Sequence, residues 1–103
     1  MIFKTKHRIY LISLSQEHFL HYWYQKGTFH RKDGPAITRS NGSKAWYYNG
    51  LLHRENGPAR IWSSRAEKWY RKGKLHREDG PAVIYPSGGK QWYRDGIQIK
   101  RED

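Results

Sequence analysis

Trp69-Tyr70-Arg71-Lys72-Gly73-Lys74-Leu75-His76-Arg77-Glu78-Asp79-Gly80-Pro81-Ala82 decides the fold, because the same pattern recurs along the chain at a fixed interval. Trp23, Trp46, Trp69 and Trp92 stand 23 residues apart without a slip. Each is followed by a tyrosine (Tyr24, Tyr47, Tyr70, Tyr93), and four positions after each tryptophan comes a glycine (Gly27, Gly50, Gly73, Gly96). His30-Arg31, His53-Arg54 and His76-Arg77 follow in phase, and Gly34-Pro35-Ala36, Gly57-Pro58-Ala59 and Gly80-Pro81-Ala82 complete the pattern. Self-similarity at this period is the signature of a repeat architecture, in which each unit is one supersecondary element that buries its apolar surface against its neighbours.

Outward from that pattern, the chain divides as one repeat domain over 1–103. Full units span 22–44, 45–67 and 68–90, a partial unit spans 91–103, and 1–21 form a degenerate N-terminal cap. His7-Arg8 lies one period before His30-Arg31, while Ile99 and Lys100 hold the His-Arg slots at the other end. Atypical terminal units are expected where a stack must end against water.

Turn chemistry supplies the elements. Asn49-Gly50 and Asp95-Gly96 are strong two-residue hairpin signals, and Lys26-Gly27 and Lys72-Gly73 are weaker equivalents. A strand carrying Trp-Tyr precedes each turn. A second strand follows each Gly-Pro-Ala, as in Ala59-Arg60-Ile61-Trp62 and Ala82-Val83-Ile84-Tyr85, and ends in turn-prone residues such as Ser40-Asn41-Gly42-Ser43 or Pro86-Ser87-Gly88-Gly89. The expected fold class is all-β, an elongated antiparallel meander of stacked hairpins. Residues 15–21 read either as a short helix capped by Ser15 or as the strand-and-turn tail of a repeat.

Composition limits what such a fold is for. Twenty Lys and Arg stand against nine Asp and Glu, a formal net charge of +11. That charge attracts anions, so nucleic acid, an anionic nucleotide, acidic lipid and an acidic protein surface are the partner classes it leaves open. Apolar residues make up 36% of the chain and aromatic ones 16%, so the core is expected to be thin and aromatic. No cysteine is present, which removes disulfides and thiolate metal sites. The run Ile9-Tyr10-Leu11-Ile12 is too short for a membrane span, and no lipidation motif accompanies the charge, so a cytoplasmic chain without membrane contact is the expectation.

Adjacent residues of a strand point to opposite faces, so each Trp-Tyr pair puts one aromatic ring on each side of the sheet. Tryptophan is expected to form a structural ladder from unit to unit. Exposed Tyr24, Tyr47, Tyr70 and Tyr93 would make a stacking platform. Arg31, Arg54 and Arg77 recur in one slot and are either a row of phosphate- or carboxylate-binding donors, or partners of Glu55, Glu78 or a Trp ring. Arg71 and Arg94 add charge beside the turns. His30, His53 and His76 complete the candidate binding set.

Catalysis is not expected. His30 with Asp33 and His76 with Asp79 invite a general-base reading, but Asn56 replaces the acid in the second unit, and Asn shares with Asp only its turn-forming chemistry. One histidine per unit gives no complete metal-ligand set, and no cofactor-binding motif is present. Gly-Pro-Ala is read as architecture: an unusual backbone angle at glycine, a fixed φ at proline, and room for a close neighbour at alanine.

The unit Trp-Tyr-x-x-Gly-x-x-His-Arg-x-[Asp/Asn]-Gly-Pro-Ala resembles the MORN repeat, over residues 22–98. It is most similar to the variant met in bacterial, bacteriophage and large-virus proteins. The resemblance implies a single-layer twisted sheet of stacked hairpins and roles in scaffolding and protein association. His-Arg stands where that family usually has His-Gly, which changes the surface presented. A short chain of this kind looks like a bacteriophage accessory protein, working in the cytoplasm of a bacterial host. The expected function is a non-enzymatic binding protein that holds an acidic protein or nucleic acid on a basic, aromatic face. An inhibitor docking on a host defence or nucleic-acid enzyme is the alternative. Open sheet edges also allow a homo-oligomer.

Overall fold

A computed structural model describes the backbone of residues 8–13 and 19–103 and the side chains from residue 20 onward. The fold is all-β, with no helix among these residues. The first half contains β1 (Arg8–Ser13), β2 (Phe19–Gln25), β3 (Thr28–Phe29), β4 (Ile37–Arg39), β5 (Lys44–Ala45), β6 (Tyr47–Tyr48) and β7 (Leu51–Leu52). The second contains β8 (Arg60–Ile61), β9 (Glu67–Lys68), β10 (Tyr70–Arg71), β11 (Lys74–Leu75), β12 (Val83–Ile84), β13 (Lys90–Arg94) and β14 (Ile97–Glu102). The alternative of a helix over 15–21 fails where it can be followed, since residues 19–21 belong to β2; residues 15–18, like His7, lie outside the described part.

The strands form an antiparallel meander in the order β1-β2-β4-β5-β8-β9-β12-β13-β14, with β3 folded back on β2. Pairs β6-β7 and β10-β11 are separate two-stranded hairpins. The molecule measures 44 × 29 × 17 Å.

Two kinds of turn alternate along the meander. Lys26-Gly27, Asn49-Gly50, Lys72-Gly73 and Asp95-Gly96 all have positive φ at both positions, from 48° to 82°, which defines the type I′ hairpin turn and matches the twist of its strands. The other turns close three-residue loops. Arg39 N–H donates to Ser43 O at 3.0 Å, and Tyr85 N–H donates to Gly89 O at 2.9 Å, with Gly42 and Gly88 in the left-handed region. The middle loop, Trp62 to Ala66, has the same bonds, but Arg65 takes the left-handed position at φ 75°.

Recurring backbone bonds close each unit and tie it to the next. Within a unit, Trp23, Trp46 and Trp69 N–H groups donate to Ala36, Ala59 and Ala82 carbonyls at 2.7–2.8 Å, and between units Ala36 and Ala82 N–H groups donate to Ala45 and Gln91 carbonyls at 2.8 Å. Arg31, Arg54 and Arg77 N–H groups donate to Tyr47, Tyr70 and Tyr93 carbonyls of the following unit at 3.0–3.2 Å. The N–H groups of Gly50, Gly73 and Gly96 reach Phe29, Leu52 and Leu75 carbonyls across the same junctions. Each junction therefore satisfies main-chain groups that an isolated hairpin would leave to water.

Among the described residues the buried apolar core consists of Ala36, Ala45, Ala59, Ala82 and Val83. Ala36, Ala59 and Ala82, each directly after the proline of its unit, are fully enclosed, so a larger side chain there would have to displace its neighbours. Large rings surround this narrow spine and stay half exposed. A sheet with so little enclosed volume must hold its shape through directed contacts between units, because hydrophobic stabilisation scales with the apolar area removed from water.

Candidate functional site

The tryptophan ladder expected from the spacing does not form. Each Trp instead carries a cation: Arg31 Cζ lies 4.1 Å from the Trp23 ring centre, Arg54 Cζ 3.8 Å from Trp46, and Arg77 Cζ 3.8 Å from Trp69. In the terminal unit Lys100 takes the arginine slot, and its Nζ lies 4.6 Å from the Trp92 ring. A cation over an aromatic face interacts with the ring quadrupole and covers that face from water.

The opposite side of each guanidinium explains the glycine of Gly-Pro-Ala. An unusual backbone angle is not its role, since Gly34, Gly57 and Gly80 all lie outside the left-handed region. A methyl group at these positions would stand 2.8, 2.7 and 2.8 Å from Cζ of Arg31, Arg54 and Arg77. Glycine is the space in which the guanidinium sits. The following proline supplies an acceptor: Nη1 of Arg31, Arg54 and Arg77 donates to the Pro35, Pro58 and Pro81 carbonyls at 3.3, 3.1 and 3.2 Å. Trp, Arg, Gly and Pro are thus four parts of one clamp.

The histidines bridge units. His30, His53 and His76 accept through Nδ1 from the backbone N–H of Asn49, Lys72 and Asp95, at 2.9, 2.9 and 3.0 Å. Each donor is the first residue of the next type I′ turn. Nε2 of His53 pairs with Glu55 at 2.8 Å and that of His76 with Glu78 at 2.7 Å. With Nδ1 an acceptor, the proton lies on Nε2 and is directed at the glutamate. Both ring nitrogens of His53 and His76 are occupied by structural partners. Glu78 also receives Arg94 through its backbone carbonyl at 3.2 Å, and the Arg71 and Arg94 guanidinia flank its carboxylate at 3.7 and 3.8 Å.

The expected site residues are divided between the two faces. Arg31, Arg54 and Arg77 lie with the tryptophans, and the His30 ring stands 4.6 Å from Tyr48 on the same side. Tyr24 and Tyr47 belong to the other face, where Tyr24 meets Phe29 at 4.7 Å and Phe29 meets Tyr47 at 5.2 Å across the junction. Burial raises the Tyr70 hydroxyl above the ordinary tyrosine range; the positive field of Arg60 opposes the shift and Tyr47 adds to it. The Tyr93 hydroxyl donates to Gln98 at 3.0 Å. The arginine row and the tyrosine row are therefore not one surface.

A groove of about 950 Å³ opens on the tryptophan face between the first and second units. Its walls include Arg31, Trp46, His53 and Arg54, and also Tyr48, Leu51, Asn56, Lys32 and Lys72. Tyr48 is 43% exposed and Leu51 is 50% exposed, large for apolar side chains beside a cleft. Neither belongs to the recurring pattern, so ranking residues by recurrence passes over them. Aligning the units on one another brings them out: Tyr48 occupies the slot of Gln25, Arg71 and Arg94, and Leu51 that of Thr28, Lys74 and Ile97.

Arg54 differs from its two counterparts. Arg31 Nε donates to Asp33 at 3.1 Å and Arg77 Nε to Asp79 at 3.4 Å, but Asn56 stands in that position of the second unit. Among the described residues no carboxylate comes within ion-pair distance of Arg54. Burial lowers its pKa from the ordinary arginine value, and the more distant charge of Glu67 works in the opposite direction.

Among the described residues no three His, Cys, Asp or Glu side chains gather to hold a metal ion, and no helix is long and apolar enough to cross a membrane. Compared with family models, curated proteins and solved structures, the chain matches none.

Proposed function

We propose that this chain is a non-enzymatic binding protein that holds an anionic partner, an acidic protein surface or a nucleic acid, in the cytoplasm of a bacterial host. The observation that carries the reading is the groove between the first two units, where exposed Tyr48 and Leu51 meet Arg54, Lys32 and Lys72 on a chain of net charge +11. Apolar floor and cationic walls together supply area for burial and charge for steering. Support for a non-enzymatic role comes from the histidines, since a general base needs a free lone pair and Nδ1 of each is already used by a neighbouring turn. The unit pattern supports kinship with MORN-like repeat proteins of the bacteriophage kind. The exposed edge strand β14 is in keeping with self-association.

A tagged chain used to capture partners from host lysate, with and without nuclease and over a range of salt, tests the reading. A bound partner whose retention falls steeply with salt is the expected result. A single-stranded nucleic acid held through about four phosphates gives a log–log salt slope near −3. Retention that does not respond to salt counts against an anionic ligand.

A second reading, an inhibitor docked on a host defence or nucleic-acid enzyme, is favoured by the side chains in the groove. Trp, Tyr and Arg dominate protein-binding hot spots, and Trp46, Tyr48 and Arg54 stand together here. Retention that survives nuclease treatment belongs to this version.

A further inference from the structure

Among the positions where the second unit departs from both neighbours are Tyr48, Leu51 and Asn56, and these three line one groove. The units provide their own control, because the same backbone carries Gln25, Thr28 and Asp33 in the first and Arg71, Lys74 and Asp79 in the third. Nothing in the pairing of units therefore requires a tyrosine, a leucine or an asparagine there. Each departure changes the groove in a consistent direction: two add exposed apolar surface, and the third removes a carboxylate from beside an arginine.

The chemistry of the missing carboxylate is specific. Arg54 is fixed by Trp46 beneath it and by the Pro58 carbonyl, and its Nε–H has no protein acceptor among the described residues, whereas Arg31 and Arg77 use the same group to hold Asp33 and Asp79. A pinned guanidinium whose face is already stacked offers its edge, and the edge of a guanidinium matches the two oxygens of a carboxylate. The groove walls carry four cations, Arg31, Lys32, Arg54 and Lys72, against two carboxylates, Asp33 and Glu55. A run of phosphates would meet those two acids. A single carboxylate flanked by apolar groups would not, and it would also cover Tyr48 and Leu51.

We propose that the groove between the first and second units receives an acidic, partly apolar peptide segment of a partner protein, with one carboxylate on Arg54 and a neighbouring apolar side chain against Tyr48 and Leu51. The inference rests on the reading of the chain as a binder of anionic partners and names the ligand of that site.

The test uses the full chain and a displayed library of short random peptides. Enriched peptides are synthesised with a fluorophore and titrated by anisotropy. They are expected to carry Asp or Glu next to an apolar residue. Asn56→Asp, which restores the acid of the other units, is expected to weaken binding at least about tenfold, the scale on which central contacts of an interface act. The same variant should melt at or above the temperature of the parent, so loss of binding is separated from loss of fold. The pair Tyr48→Gln with Leu51→Thr, borrowed from the first unit, should lose a similar factor. Ser87→Asp changes the net charge equally in an exposed turn of the third unit, and should weaken binding less than about threefold. The inference is overturned if no peptide is enriched, if Asn56→Asp binds like the parent, or if Ser87→Asp loses as much as Asn56→Asp. It is equally overturned if oligothymidylate displaces the peptide and shows the same sensitivity to Asn56→Asp, since the ligand is then a phosphate. In each of these cases salt-sensitive capture from lysate would leave the broader reading standing, and its absence would remove both.

Discussion

Replacing Gly80 by alanine tests whether the glycine of Gly-Pro-Ala is there for the guanidinium. The added methyl would lie 2.8 Å from Arg77 Cζ, too close for both to stay. Because the arginine is the flexible partner, it leaves, and the cost is limited to what the clamp supplies. Two contacts are lost: the bond from Nη1 to the Pro81 carbonyl at 3.2 Å and the cation–π contact with Trp69 at 3.8 Å. A hydrogen bond from a charged donor contributes about 1.5–3 kcal/mol, and a partly exposed cation–π contact about 0.5–1 kcal/mol. The pairing with Asp79, whose side chain is 87% exposed, adds little. Against these losses, alanine restricts the unfolded chain and returns about 0.4–1 kcal/mol. The net expectation is a destabilisation of about 2 kcal/mol, read as a lower midpoint in urea by tryptophan fluorescence with an unchanged slope. In an Arg77→Ala background the sign should reverse, because only the unfolded-state effect remains. The double-mutant cycle isolates that coupling. If Gly80→Ala costs as much without the arginine as with it, the glycine serves the backbone and the clamp argument fails.

Two further outcomes follow from the turns and the tyrosine face. Arg65 occupies a left-handed position at φ 75° that Gly42 and Gly88 fill in the sister loops, so Arg65→Gly should stabilise the chain by up to about 1 kcal/mol in the same urea assay. Burial raises the Tyr70 hydroxyl above the ordinary tyrosine value, so the folded state holds this proton more tightly than the unfolded one. Stability linked to Tyr70 is therefore complete below about pH 10 and is lost as pH rises through the folded value. Tyr70→Phe should flatten the fall in stability between about pH 9 and pH 11, and an equal fall in both proteins would contradict the assignment.

The fold was legible where local chemistry dictates backbone shape. Asn49-Gly50 and Asp95-Gly96 accept positive φ at both positions, and the type I′ turns stand on them; Lys26-Gly27 and Lys72-Gly73 do the same with less help from the first residue. The strands after Gly-Pro-Ala lie where β-prone tails place them, at Arg60–Ile61 and Val83–Ile84. The loop at Arg65 gave no comparable signal, because its left-handed residue is not glycine. What recurrence could not show was contact across the sequence. Arg over Trp was one of two alternatives open for the arginine row, and recurrence did not choose between them; the bond His30 accepts comes from a backbone N–H of the following unit, which carries no side-chain signature. The two rows of candidate residues were visible as rows, but not the fact that arginines and tyrosines face opposite ways.

A stack of like units carries two kinds of information, and they compete for the same positions. Residues that shape a unit or join it to the next must be present in every unit, so they recur: the Trp-Arg-Gly-Pro clamp does the first, the histidine bridge does the second, and the fully buried alanine serves both. Recurrence makes them conspicuous and also commits their hydrogen bonds to the protein. A ligand requires surface whose bonding capacity is still open, and in a chain with so small a core that surface lies at positions whose residue type unit pairing does not fix. Tyr48, Leu51 and Asn56 are such positions, and Asn56 shows how little is needed, since one amide in place of a carboxylate leaves Arg54 clamped while its Nε–H keeps no acceptor among the described residues. The selectivity of the molecule is therefore to be sought where the second unit breaks the pattern. Transplanting Gln25 and Thr28 into those slots should erase it without disturbing the stack.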